Sequence, residues 1–214
     1  MVFYRKYRPQ TLGELIGQEE VKRTLESQLT SGKIGHAYLF YGTRGTGKTS
    51  TARILAKAVN CEKYRSQTPK FGEPCNKCQS CIAITNGSSL DLVEIDAASN
   101  RGIDEIRDLR EKVKLSPVSS PYKVYIIDEV HMLTTEAFNA LLKTLEEPPK
   151  HAIFILATTE YSKLPATILS RLQKFNFKRA SKVDIASAVT RIARSEKIKL
   201  DQGSASQIAE VADG

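Results

Sequence analysis

One eight-residue pattern limits what this chain can fold into. Gly42 to Thr49, GTRGTGKT, fits GxxxxGK(S/T) without mismatch. An apolar run from Ala37 to Tyr41 leads into it, and Ala52, Leu55, Ala56 and Val59 follow at helical spacing. Strand, glycine-rich loop and helix in that order make a phosphate cradle. Glycines let backbone amides close around a polyphosphate, Lys48 supplies a point charge for the terminal phosphates, and Thr49 offers a hydroxyl to magnesium. The candidate nucleotide contacts in this stretch are Gly42, Thr43, Arg44, Gly45, Thr46, Gly47, Lys48, Thr49 and Ser50. An ordinary glycine-rich turn is the alternative, and the strand before and helix after it argue against that.

A chain of 214 residues holds one large core, or a core with a small satellite. No window approaches the length of a membrane span, and the basic start MVFYRKYRPQ has no apolar run behind it, so a cytoplasmic protein without a membrane anchor is expected. The net charge of +8 attracts polyanions, nucleotide or nucleic acid, although a solvated basic face would give the same number.

In chain order, Pro9 disfavours helix and residues 1–17 read as an extended arm. A helix from Gln18 places Val21, Leu25 and Leu29 on one face and stops at Ser31-Gly32. Asp91 to Asp96 reads as a buried strand, followed by a helix with Ile103, Ile106, Leu109 and Val113 inward. Tyr122 to Asp128 is a further strand, and Thr134 starts a helix that Pro148-Pro149 stops. His151 to Thr158 is the next strand, then comes a short helix through Arg171, and Lys174 to Phe177 alternates like another strand. Strands alternating with helices predict an α/β fold, a mostly parallel sheet covered on both faces with ligands at the carboxyl ends of the strands. Beyond Lys178 the pattern is helical: Ile185, Val189 and Ile192 on one helix, Ile208 and Val211 on another from about Ser204. This divides the chain into a nucleotide-binding domain, 1–178, with an insertion at about 61–81, and the start of a helical lid, 179–214. The ending Ala212-Asp213-Gly214 reads as a cut inside a longer protein.

A bound triphosphate needs a second metal anchor and a base for water, from the end of a neighbouring strand. Asp128 would hold magnesium, directly or through water, and Glu129 would orient and deprotonate the attacking water. Asp-Glu-Val-His also invites a helicase reading, but the chain has no room for a second nucleotide-fold domain. Ala157-Thr158-Thr159 offers hydroxyls for sensing the terminal phosphate, and Ser170-Arg171 follows the next helix. All four cysteines lie between positions 61 and 81: Cys61, then Cys75, Cys78 and Cys81 in CxxCxxC spacing. Four thiolates on one short excursion suit tetrahedral zinc, and the site would staple a loop too small for its own core. An iron–sulfur cluster or a redox dithiol fits the same residues.

Several blocks together carry a resemblance: RKYRP, IGQE, HAYLFYGTRGTGKTS, the cysteine excursion, LVEIDAAS, KVYIIDEVHMLTTEAFNALLKTLEEPP, ILATTEYSKLPATILSR and the terminal VADG. The sequence resembles the γ/τ ATPase subunits of the bacterial DNA polymerase III clamp loader, an AAA+ family. The likeness runs over essentially the whole chain. It implies an AAA+ P-loop NTPase fold with a zinc-binding insertion and a helical lid, and an ATPase acting as part of the polymerase holoenzyme. It implies ATP or ADP, Mg²⁺ and Zn²⁺ as cofactors. The implied partners are the δ and δ′ subunits, further γ/τ copies, the sliding clamp, primed DNA and the polymerase core.

On this resemblance, Tyr7, Arg8, Pro9, Ile16 and Gly17 wrap the adenine. Thr159 occupies the first-sensor position, and Arg171 of Ser170-Arg171 reaches the nucleotide of a neighbouring subunit, in trans. Leu172 stands where the motif has cysteine. Asn100, Arg101 and Arg107 lie where the family meets the DNA backbone, with Gly102 where some relatives carry a basic residue. The second-sensor arginine and the collar domain would lie beyond Gly214, so the fragment is expected to be monomeric and weakly active. Two other readings are a δ′-like pseudo-ATPase scaffold and an AAA+ branch-migration motor. The intact Gly47, Lys48, Thr49, Asp128 and Glu129 weigh against the first, and the cysteine excursion against the second.

Overall fold

A computed structural model describes residues 2–63, 72–100 and 102–212. Among them, five strands form one sheet in the order β2-β3-β4-β1-β5, each pairing parallel with its neighbour. They are β1 (Ala37–Gly42), β2 (Leu92–Asp96), β3 (Lys123–Asp128), β4 (Ala152–Thr158) and β5 (Gln173–Phe177). In the pairing of β2 with β3, Asp96 at the end of one strand stands opposite Asp128 at the end of the other.

Period-2 geometry divides the side chains of the central strands between two cores. Leu39, Tyr125, Ile127, Phe154 and Leu156 point to one face, beneath α5 (Ile103–Lys114) and α6 (Thr135–Glu146). Tyr38, Phe40, Val124, Ile126, Ile153 and Ile155 point to the other, beneath α2 (Glu19–Ser31) and α3 (Lys48–Asn60). Buried on both sides, β4 is continuously apolar up to its last residue, as a central parallel strand must be. Helix α2 ends at Gly32 with φ of 69°, and α6 begins where the Thr134 side chain accepts from Ala137 N.

Three expectations need correction. The arm is not extended throughout: α1 (Phe3–Lys6) is one helical turn, because Pro9 constrains only itself and Arg8 and leaves the residues before them free. Strand β2 is not buried. It lies at the sheet edge, with Leu92, Val93 and Ile95 only partly covered, since it has a neighbour on one side alone.

The two terminal helices, α8 (Lys182–Ser195) and α9 (Gln202–Val211), differ as well. Alanines fill their fully buried positions: Ala188 and Ala193, Ala205 and Ala209. Small side chains bring these helices close, which leaves Ile208 and Val211 exposed and Ile185, Val189 and Ile192 half-buried. Helix α9 also starts two residues before Ser204, capped by Asp201, whose carboxylate accepts from Ser204 N. Between α3 and β2 runs the cysteine segment with its own helix α4 (Gln79–Asn86), and α7 (Ala166–Leu169) precedes β5.

Candidate active site

The P-loop starts where β1 ends. Gly42 has φ of 147°, and a Cβ there would stand 2.1 Å from Phe177 O, so only glycine lets β1 lie so close to β5 at this point. The loop enters α3 through Gly47 with φ of 97°. Lys48, buried at the first turn of α3, donates from Nζ to Gly42 O at 2.8 Å and Thr43 O at 2.7 Å. Burial pulls the Lys48 ammonium below the ordinary lysine range, while Glu129 and Asp128 draw it back up. The amino terminus of a 13-residue helix points into the same place, and its orphan amides favour an anion.

Around the loop opens a cleft of about 870 Å³. Its walls are Thr43, Arg44, Gly45, Gly47, Lys48, Thr49 and Ser50 on one side, and Arg8, Asp96, Asp128, Glu129, Thr159 and Arg179 on the others. Thr49 Oγ1 donates to Asp128 Oδ2 at 2.8 Å. Glu129 follows β3 in the left-handed region, φ 47°, costly for a non-glycine residue and typical of functional positions. Its Oε2 accepts from Thr159 Oγ1 at 2.9 Å and Thr159 N at 3.2 Å, so the two strand ends meet at one carboxylate.

His131 stands behind this pair. Its Nδ1 is 2.9 Å from Thr158 Oγ1, and its Nε2 is 3.3 Å from Glu160 Oε1. Arg8 reaches the cleft from the arm. Burial lowers its proton affinity and the neighbouring Arg53 adds to that effect, against Glu94 and Asp128.

Of the residues expected at the nucleotide, Lys48, Thr49, Asp128, Glu129, Thr159 and Arg8 converge on this cleft. Others lie outside its lining. Tyr7 donates from its hydroxyl to Glu196 Oε1 at 2.6 Å, tying the arm to the end of α8, and Lys6 Nζ pairs with the same oxygen. Pro9, Ile16 and Gly17 do not line the cleft, Gly42 contributes its carbonyl to Lys48, and Thr46 closes onto Thr43 O at 2.8 Å. Asp96, His131 and Arg179 were missed by sequence reasoning. Asp96 could have been found from the parallel register, which makes the last residue of β2 a neighbour of Asp128.

Arg171 does not line the cleft. It donates to Thr167 O, Ser170 Oγ and, at 2.5 Å, to Glu146 Oε1 at the end of α6. Leu172, next to it, is buried in the core that includes Leu141 and Leu145 of α6. Arg101 lies outside the described residues. Asn100 donates from Nδ2 to Asp96 O at 3.0 Å, and Arg107 is paired with Asp104 at 3.1 Å. The first turn of α5 carries Asp104 and Glu105, whose charges oppose a phosphate there.

The four cysteines form a second centre. Cys61, Cys75, Cys78 and Cys81 place their sulfurs within 4.8 Å of one another. Four Zn–S bonds of ~2.3 Å in a tetrahedron need separations of about 3.8 Å, which small rotations from this arrangement supply. Backbone amides point at the sulfurs: Lys77 N and Cys78 N at Cys75 Sγ (3.4 and 3.3 Å), Cys81 N at Cys78 Sγ (3.5 Å) and Cys75 N at Cys61 Sγ (3.4 Å). Burial pushes the Cys75 thiol up, but these amides and the Cys61 and Cys78 thiols outweigh it and bring it down to about 7. Donors aimed at sulfur stabilise the Cys75 thiolate, the form that binds a metal, while burial pushes the Cys81 thiol up; no disulfide links the four. The residues fit a tetrahedral metal.

Solved structures share the same architecture. The Thermotoga maritima RuvB Holliday junction branch migration motor aligns with a TM-score of 0.65 over 95% of this chain and 59% of its own, at 21% identity. A DNA polymerase III gamma subunit-related protein of Thermotoga maritima aligns at 0.56, over 90% of this chain and 58% of its own, at 23% identity. At such identities the likeness concerns the fold alone. Fold and cleft together define the class: the fold is that of the AAA+ P-loop NTPases.

The sequence narrows it further. The family model described as DNA polymerase III, delta subunit, matches residues 17–181, and the chain belongs to this family. Its curated relatives include the DNA polymerase III subunit tau of Bacillus subtilis (strain 168), 56% identical over 211 residues, which are 99% of this chain and 37% of that protein. The subunit tau of Escherichia coli (strain K12) is 47% identical over 213 residues, 100% of this chain and 32% of that protein. The chain thus spans about a third of the length of these relatives.

Proposed function

We propose that the chain is the nucleotide-driven part of a γ/τ-type subunit of the bacterial replicative clamp loader, coupling ATP binding and hydrolysis to the loading of a sliding clamp onto primed DNA. The observation that carries this reading is the Thr49–Asp128 pair beside Lys48, with Glu129 and Thr159 at the next strand end. A degenerate scaffold subunit would have no reason to keep all five. The chain would work with δ, δ′, further γ/τ copies and the polymerase core, in the cytoplasm; no helix among the described residues is long and apolar enough to cross a membrane.

In this reading the amides from Thr43 to Lys48 and the Lys48 ammonium hold the polyphosphate. Thr49 and Asp128 would hold Mg²⁺, which when bound neutralises phosphate charge. Glu129 takes the proton of the attacking water, and Thr159, bonded to the same carboxylate, aligns the base and senses the terminal phosphate. Arg8 adds positive charge from the arm, while Tyr7, Pro9, Ile16 and Gly17 border the space for the base. Arg171 acts on the nucleotide of an adjoining subunit, because in its own chain it serves α6 and not the cleft. Cys61, Cys75, Cys78 and Cys81 would hold Zn²⁺ as a structural ion with no open coordination position. Half-buried Asn100 and exposed Arg107 are the candidates for the DNA backbone.

The test is titration of the protein with a fluorescent adenine nucleotide, with phosphate release measured in the presence of clamp and primed DNA. Binding lost on Lys48→Ala, and release stimulated by clamp and DNA together, are expected. Unchanged binding after Lys48→Ala would overturn the reading.

A further inference from the structure

The nucleotide cleft and the four-cysteine centre are carried by different elements, yet residues 8–18 of the arm touch both. On the cleft side, Arg8 lines the cavity. Leu15 Cδ2 packs against the P-loop, 3.6 Å from where a Cβ on Gly47 would stand, and Gln18 Nε2 donates to Thr46 O at 3.4 Å.

On the other side the contacts come from the cysteine segment. Glu73, two residues before Cys75, accepts from Leu12 N and Gly13 N, both at 2.8 Å. Asn76, inside the CxxC turn with φ of 55°, donates from Nδ2 to Gln10 O at 3.3 Å. Between them lies Lys57 of α3, 2% exposed. Its ammonium donates to Gln10 O at 3.0 Å, Gln10 Oε1 at 2.8 Å and Asn76 Oδ1 at 2.6 Å.

A buried ammonium bonded to three neutral amide oxygens is an expensive way to fill space; leucine or methionine would do so without desolvating a charge. All three of its donors are used, and they bridge the arm, the P-loop helix and the cysteine turn. Burial lowers the proton affinity of Lys57, while the charges of Cys81, Glu14 and Glu73 raise it. Four thiolates around a divalent ion carry a net charge of −2, which adds to the counter-charge that Glu14 and Glu73 give this ammonium.

We propose that Lys57, Glu73 and Asn76 form a clasp that holds residues 8–18 against the P-loop, so that metal in the four-cysteine centre sets the affinity of the cleft for nucleotide. These are positioning residues; none of the three lines the cleft. The inference rests on the nucleotide reading above, and gives the insertion a role in that site beyond stapling its own loop.

The test uses full-length protein, metal-loaded and chelator-stripped, with Glu73→Gln and Lys57→Met. Hydrogen–deuterium exchange of a peptide spanning residues 10–15, measured without nucleotide, reads the clasp directly. Affinity for a fluorescent ADP analogue reads its effect, and bound zinc is counted in each sample. Glu73→Gln should speed exchange at Leu12 and Gly13 by about tenfold and weaken ADP binding about three- to tenfold, the net share of about one hydrogen bond, with bound zinc unchanged. Stripping the metal from the parent protein should produce the same two changes. A merely structural role would lower the melting temperature without this paired effect on arm exchange and affinity at 20 °C. The clasp is overturned if residues 10–15 stay protected in Glu73→Gln and in stripped protein, or if they are freed and ADP affinity does not move. Absence of ADP binding in the parent protein would instead overturn the nucleotide reading, because exchange without nucleotide still reports on the arm.

Discussion

Thr49 Oγ1 donates to Asp128 Oδ2 at 2.8 Å, joining the first turn of the P-loop helix to the end of a strand that does not pair with β1. Strand β4 lies between β1 and β3, so α3 must sit across it for the hydroxyl to reach. The buried contacts of Ile54, Leu55 and Val59 with Val124, Ile126, Ile153 and Ile155 fix that crossing. Packing of the sheet face under α2 and α3 thereby sets the geometry of the Thr49–Asp128 pair.

This separates three variants by readout. Lys48→Ala should abolish nucleotide binding. Asp128→Asn should leave binding in the presence of EDTA unchanged and remove the tightening that Mg²⁺ gives. Glu129→Gln should bind within about twofold of the parent and lose about 10²–10⁴ in turnover, the contribution of a positioned general base. Calorimetry with and without Mg²⁺, together with single-turnover hydrolysis, distinguishes them; equal loss of binding in all three would show that the cleft does not divide the work this way.

Much of this cleft was legible in the sequence because three of the strands run into candidate site residues. Gly42, Asp128 and Thr158-Thr159 all close apolar runs, and a parallel sheet brings such ends to one edge. What was not legible depended on register or on neighbours far along the chain. Asp96 needed the pairing of β2 with β3, and Glu73 and Lys57 needed the path of the arm. The buried alanines of α8 and α9 carry little periodic signal, while Ile208 and Val211 supply an apolar pattern that solvent meets.

Arg171 should be silent in the isolated chain. Its ion pair with Glu146 is partly exposed, and such pairs contribute about 0.2–1 kcal/mol, so Arg171→Ala should barely change the urea midpoint or ADP affinity. In the assembled ring, steady-state phosphate release should fall about 10³-fold, the scale of an arginine supplied in trans. Wild-type rates from an assembly in which every copy carries the alanine would refute the role.

Metal removal has its own signature. The described residues of the cysteine segment bury little beyond Cys61, Pro74, Cys81 and Ile84, so they have scarcely any core to fall back on. Chelation, or Cys78→Ser, should release one zinc per chain and lower the thermal midpoint by several degrees, roughly the effect of 1–2 kcal/mol in a domain of this size. Atomic emission on gel-filtered protein, followed by calorimetry, checks both. Iron in the purified protein, with its visible absorbance, would favour the cluster alternative.

Acid stability should report on Asp91, which is fully buried and pins the turn before β3. Its carboxylate accepts from Val118 N (2.7 Å), Ser119 N (2.9 Å), Ser119 Oγ (3.1 Å) and Ser120 N (2.8 Å). Burial alone would raise its proton affinity, but these donors outweigh burial and hold the group below its ordinary value of 3.8. A carboxylate depressed in the folded state stabilises the protein above its unfolded value, and that stability is lost as pH falls through the folded one. The unfolding free energy should therefore drop below about pH 4 partly through this group. Asp91→Asn removes the charge, and the mismatch with three amides should cost about 2–3 kcal/mol at pH 7. The gap between parent and variant should then shrink as pH falls from 4 to 3 in urea titrations. Parallel stability curves across that range would mean that Asp91 keeps its proton-free form by no more than it does in the unfolded chain.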